Sequence, residues 1–134
     1  IGVQVGTDQE TAMRKAADEC SEAGKGVLSV RAYSKQSEAT TGLVGGTIDA
    51  TYSDSTVAGY AVELTDGQIV TLGEIEDAAP QGVVTAKADP QFTAAIQAAV
   101  QYLMDQGIWQ KILENWGVKD AALTTAELNP AVKE

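Results

Sequence analysis

The feature that most constrains this chain is an alternation in its first 72 residues. Short apolar runs of strand character take turns with helical stretches, and the connections are tight. Ile1–Val5 alternates apolar with small or polar residues, as a strand does. Gly6 breaks the pattern, and Thr7 with Glu10 three positions on fits a capping box that opens a helix running to Gly24 or Gly26. Val27–Tyr33 reads as a second strand, followed by a helix capped by Ser34 and ending near Val44. Ile48–Ser53 reads as a third strand, followed by a helix from Ser55 to about Leu64, and Gln68–Leu72 as a fourth strand. A β-α-β-α-β-α-β order with connections this short predicts an α/β fold: a mostly parallel sheet flanked by helices.

The second part of the chain has a different grain. Residues 73–82 are acidic, contain Pro80 and lack periodicity, which predicts a linker or hinge. Val83–Ala86 has strand character. Asp89-Pro90 then starts a helix whose stripe is Phe92, Ile96, Ala99, Val100, Leu103 and Met104. Gly107 stops that helix. A shorter one carries Ile108, Trp109, Ile112, Leu113 and Trp116, Gly117 ends it, and a polar tail follows from Val118. The chain opens directly in an alternating strand pattern without a leader, which reads as a processed or excised piece of a longer polypeptide.

Composition narrows the chemistry. The 134 residues carry a formal charge of −10. Residues 1–77 hold thirteen acids and five bases, residues 78–134 six and four, so −8 of that charge lies in the first part. Such a field repels phosphate backbones and anionic lipid, which makes nucleic acid and membrane surfaces poor partners. With no histidine and one cysteine, Cys20, the chain cannot assemble a Ser/His/Asp or Cys/His set, an internal disulfide or a thiolate metal cluster. No metal, no cofactor and no catalytic residue is expected. Cys20 lies on an apolar helical stripe and reads as packing, and the carboxylates Glu74, Glu76 and Asp77 read as a solvated hinge.

In an open α/β sheet, ligands gather where strands end and helices begin. Gly6-Thr7-Asp8 after the first strand offers backbone N–H groups and a hydroxyl, a seat for a carboxylate. Ser53-Asp54 after the third offers an anionic oxygen for an ammonium group. A zwitterion would suit the pair. Each also has a plainer reading: Thr7 and Asp54 as helix caps, Gln4 as a solvated strand residue, Trp109 and Trp116 as core or interface anchors.

Three stretches, IGVQVGTDQE from Ile1, GTIDATYSDSTVA from Gly46 and AIQAAVQYLMDQGIWQKILENWGV from Ala95, resemble the polar amino-acid family of solute-binding proteins. These serve ABC importers and have the type II periplasmic-binding-protein fold, two lobes that clamp a ligand between them. The resemblance implies that residues 1–77 form lobe two and 78–82 the crossover. Residues 83–134 would then be a return segment completing lobe one, whose N-terminal part this sequence does not contain. It further implies that Thr7 and the N–H groups near Asp8 hold an α-carboxylate, Asp54 an α-amino group, and Gln4 and Ser53 a ligand side chain. Partners would be an amino acid and importer membrane subunits, outside the cytoplasm; a sensor domain or a dehydratase-like enzyme on the same fold is the alternative. Two departures stand out. The family's Gly-Arg-x-Asp-Ala reads Gly46-Thr47-Ile48-Asp49-Ala50, and its Tyr-Gly after the hinge reads Gln81-Gly82. Without the rest of lobe one, the C-terminal helices would leave apolar faces in water, so self-association through those helices is expected, by dimerisation or by exchange between chains.

Overall fold

A computed structural model describes residues 1–75 and 79–131 of the chain, which divides into two compact units, Ile1–Thr71 and Leu72–Glu134. In the first unit, β1 (Gly2–Gln4) pairs in parallel with β2 (Arg31–Tyr33), with Gly2 opposite Arg31, Val3 opposite Ala32 and Gln4 opposite Tyr33. On the other side of β1 a single parallel bridge joins Gly2 to Thr51, held by Gly2 N donating to Ala50 O at 2.8 Å and Tyr52 N to Gly2 O at 3.0 Å. β1 is therefore central. The α/β expectation holds in this coarse form, with less sheet than the pattern promised.

The shortfall has a geometric cause. In the register Gly2–Arg31, Val27 and Leu28 have no residue of β1 opposite them, and Val27 is 93% exposed. The third run contributes only its bridge at Thr51. The expected fourth strand, Gln68–Leu72, and the expected strand at Val83–Ala86 do not form among the described residues; a strand exists only where a second backbone pairs with it, and the sheet consists of β1 and β2. Residues 76–78 of the expected hinge fall outside the described residues.

Helix starts and stops follow local chemistry. α1 (Asp8–Glu22) is capped by Thr7, whose Oγ1 accepts from Glu10 N at 3.2 Å. Glu10 returns a bond to Gly6 N at 2.8 Å rather than to Thr7 N, and Gly24 leaves the helix at φ +66. α2 (Gln36–Val44) starts one residue later than expected: Lys35, not Ser34, is the N-cap, and its amide donates to the Glu38 carboxylate at 3.3 Å. α3 (Ser55–Leu64) matches its expected span. α1 and α2 pack against β1, and α2 also against β2.

The core of this unit is small. Val3 and Ala39 are fully buried, and Ile48 nearly so. Gly2 eases this packing: a Cβ there would sit 2.5 Å from Ile48 Cδ1 and 3.1 Å from Tyr33 Cε2, so any larger residue would have to displace the Ile48 side chain that closes over β1.

In the second unit, Asp89 caps α4 (Pro90–Asp105), its Oδ1 accepting from Phe92 N at 2.9 Å, with Pro90 at the position where a missing N–H costs nothing. Gly107, at φ +67, turns the chain into α5 (Ile108–Asn115), which packs on α4 and on a 3₁₀ turn, Lys119–Ala121. The polar tail is fastened to α4. Gln97 Nε2 donates to Ala126 O at 2.8 Å, and Gln101 Oε1 accepts from Ala126 N at 2.8 Å. No described helix is long and apolar enough to cross a membrane.

Candidate functional site

The three chain crests that leave the sheet in the same direction meet in the first unit. β1 ends at Gln4 and runs through Thr7 into α1. β2 ends at Tyr33 and leads to α2. The bridged segment ends at Tyr52 and Ser53 and leads through Asp54 into α3. A shallow cleft opens there, at the carboxyl ends of the parallel strands. Four of the five residues singled out in the sequence, Gln4, Thr7, Ser53 and Asp54, line it. The fifth, Asp8, does not: its side chain is exposed on the first turn of α1, leaving its amide as its link to the site. Gln9, Gln36, Tyr52 and Val57 complete the wall.

Thr7 is a cap. Its hydroxyl donates to Gln4 O at 2.7 Å while accepting from Glu10 N at 3.2 Å, so its one proton is committed. What remains for an anion is the backbone: the amides of Thr7, Asp8 and Gln9 lie before the first intrahelical bond, which runs from Thr11 N to Thr7 O. The positive end of the α1 dipole adds to them.

Asp54 is the reverse case. It occupies the N-cap position of α3, yet its side chain makes no capping bond. Its Oδ1 instead accepts from Gln9 Nε2 at 2.9 Å, across 45 residues of sequence, and ties the α1 crest to the α3 crest. The two crests therefore share one rim. Asp54 is the one charged side chain in a wall otherwise made of three amides, two hydroxyl-bearing chains from Thr7 and Ser53, a phenol from Tyr52 and an aliphatic group.

Beside the cleft, Glu10 is held below the usual carboxylate range, first by the hydrogen bond from Gly6 N and then by Arg14, whose guanidinium lies 2.6 Å from Oε1. It fixes the loop that presents the three free amides.

The cleft encloses about 40 Å³, room for water rather than for an amino acid, and it stands open to solvent. A second hollow of about 90 Å³ lies at the amino ends of the strands, lined by Arg31, Asp49 and their neighbours, and holds none of the predicted residues. Among the described residues, no three His, Cys, Asp or Glu side chains gather as a metal site would need.

Sequence reasoning missed Gln9, Gln36, Tyr52 and Val57. Gln9 carried a signal, since it sits in the first turn of the helix whose start had been singled out. Gln36 carried none.

No protein-family profile matches the chain, and no solved structure does. Over 130 residues, 96% of its length, the chain is 33% identical to the arginine-binding protein ArgT of Corynebacterium glutamicum, and it spans 42% of that protein. The likeness to this arginine-binding protein therefore runs along nearly the whole chain, which spans less than half of that relative's length.

Proposed function

We propose that this chain, a relative of the amino-acid solute-binding proteins, carries one jaw of an extracytoplasmic amino-acid-binding component of an ABC importer. On this reading its first unit belongs to a periplasmic-binding-protein-like type II fold and its second to the return segment of the opposite lobe. The amides of Thr7 and Asp8 receive the α-carboxylate, Asp54 receives the α-ammonium, and Gln4 and Ser53 face the ligand side chain. The observation that carries this is the shared rim: an electropositive helix start and a lone carboxylate stand next to each other at one cleft, tied by the Gln9–Asp54 bond. The ArgT likeness supports arginine as the first ligand to try, and a wall whose one charge is negative suits a cationic ligand.

A single open jaw leaves the ligand wet and its ionic contacts screened, so affinity is weak, about millimolar or poorer. The test is an amide-shift titration of the isolated chain with L-arginine, N-acetyl-arginine and agmatine. L-arginine should shift Thr7, Asp8 and Asp54. Agmatine, without the carboxylate, should leave Thr7 and Asp8 still, and N-acetyl-arginine, without the ammonium, should leave Asp54 still. Equal responses to all three, or micromolar binding of any of them, would overturn the reading. The exposed apolar faces of α4 and α5 support a second part of the proposal, that the isolated chain self-associates through its C-terminal helices.

A further inference from the structure

An aspartate at an N-cap ordinarily turns its carboxylate back onto the amides of the first helical turn. Asp54 has that position and declines that role; α3 begins without a side-chain cap, and the carboxylate reaches across to Gln9 Nε2 at 2.9 Å. We infer that Gln9 is a positioning residue, which holds Asp54 out of its capping geometry and keeps its carboxylate presented to the cleft. The consequence for binding rests on the amino-acid reading above; the consequence for α3 does not.

Two acceptor roles compete for one carboxylate. Capping α3 would satisfy the amide of Thr56 or Val57 and draw the carboxylate down onto the helix. The bond to Gln9 holds it over the rim, at the cost of an uncapped α3. The two bonds are of similar strength, so loss of the Gln9 donor is enough to shift the balance. The chemistry of residue 9 matters as much as its reach. A glutamine amide occupies one acceptor site of Asp54 and brings no charge, so the remaining lone pairs keep their full attraction for an ammonium group. A lysine at this position would hold the carboxylate equally well and neutralise it. Gln9 thus positions the acid without quenching it.

The arrangement predicts an outcome of unusual sign. A residue that merely supports the fold loses stability and binding together when truncated. Here Gln9→Ala frees Asp54 to cap α3, so binding falls while stability holds or rises. The experiment compares the wild-type chain with Gln9→Ala, Gln9→Lys and Asp54→Ala. Three readouts are needed: amide exchange at Thr56 and Val57 without ligand, thermal melting, and L-arginine titration by amide shifts.

In Gln9→Ala, exchange at Thr56 or Val57 should slow several-fold, the melting temperature should stay or rise, and arginine affinity should fall about five- to ten-fold, the scale of one hydrogen bond. Gln9→Lys should leave Thr56 and Val57 exchanging as in wild type and still lose affinity. Asp54→Ala should lose binding with no change in exchange at the two amides. Unchanged exchange in Gln9→Ala, or a parallel fall of melting and affinity, would overturn the inference. If the wild-type chain ignores amino acids altogether, the binding reading fails, and the ligand-free exchange still decides whether Gln9 holds Asp54.

Discussion

At the scale of single residues, two positions carry more than their size suggests. Gly2 is pressed between Ile48, Tyr33 and Ala39, and the nearest atom to a new Cβ is the tip of a side chain that is itself buried. Ile48 can give way only by disturbing the same small core, so Gly2→Ala should destabilise by about 1–3 kcal/mol, read as a lower urea midpoint with unchanged slope. Asp54 is the opposite kind of position. It is exposed and caps nothing, so Asp54→Asn should leave the urea midpoint within about 0.5 kcal/mol of wild type. It should abolish the arginine-induced shifts, because a neutral amide cannot hold an ammonium by charge. A variant that unfolds the chain would mean Asp54 supports the fold rather than the ligand. The sequence could identify Asp54 as an acid at a crest. It could not reveal that Asp54 leaves α3 uncapped, because its partner Gln9 lies 45 positions away and glutamine is common in first turns.

At the scale of elements, local signals were legible and paired ones were not. Thr7, Asp89-Pro90, Gly107 and Gly117 mark helix ends through their own dihedrals and side chains, and the helices follow them. Strands depend on what lies alongside, and the register that sets Gly2 against Arg31 is a property of two distant segments, invisible in either run. The same holds for the tail, whose fastening depends on Gln97 and Gln101 of α4 meeting Ala126, 29 and 25 positions further along the chain.

Two element-scale outcomes follow. Asp89→Ala removes the acceptor for Phe92 N and should cost about 1 kcal/mol, seen as faster amide exchange in the first turn of α4. Glu10 gives α1 a pH dependence. Its carboxyl is lowered in the folded chain by the Gly6 amide and then by Arg14. Its stabilising share is therefore complete above the pKa of an unfolded glutamate and is lost as pH falls through the lowered folded value. Exchange of the Gly6 amide, corrected for intrinsic rates, should rise on acidification in wild type and be flat in Glu10→Gln. The reverse slope would mean Glu10 is not what holds the loop.

At the scale of the whole molecule, the ratio of core to exposed apolar surface decides the behaviour. Val3, Ala39 and Ile48 are the buried hydrophobic residues among those described. In the second unit Phe92 (54%), Tyr102 (60%), Ile112 (41%) and Trp116 (52%) stay open on α4, α5 and the residue that follows. The strong stripe predicted for these helices is thus only half satisfied: Ile96, Val100 and Leu103 are partly covered, while its flanks face water. Large side chains left open on adjacent helices favour association, since each removes apolar area from water at about 25 cal/mol per Å². The charge of −10 opposes it at low salt and is screened as salt rises. Sedimentation at rising concentration should therefore show self-association that strengthens with sodium chloride, and Trp116 fluorescence should shift to the blue as it does so. The double variant Phe92→Ser with Ile112→Ser, which removes open side chains rather than core, should restore a monomer whose first-unit amide shifts match wild type. A wild-type chain that sediments as a monomer at every salt and concentration would show that charge outweighs the exposed helices, and the self-association proposed for this segment would fall.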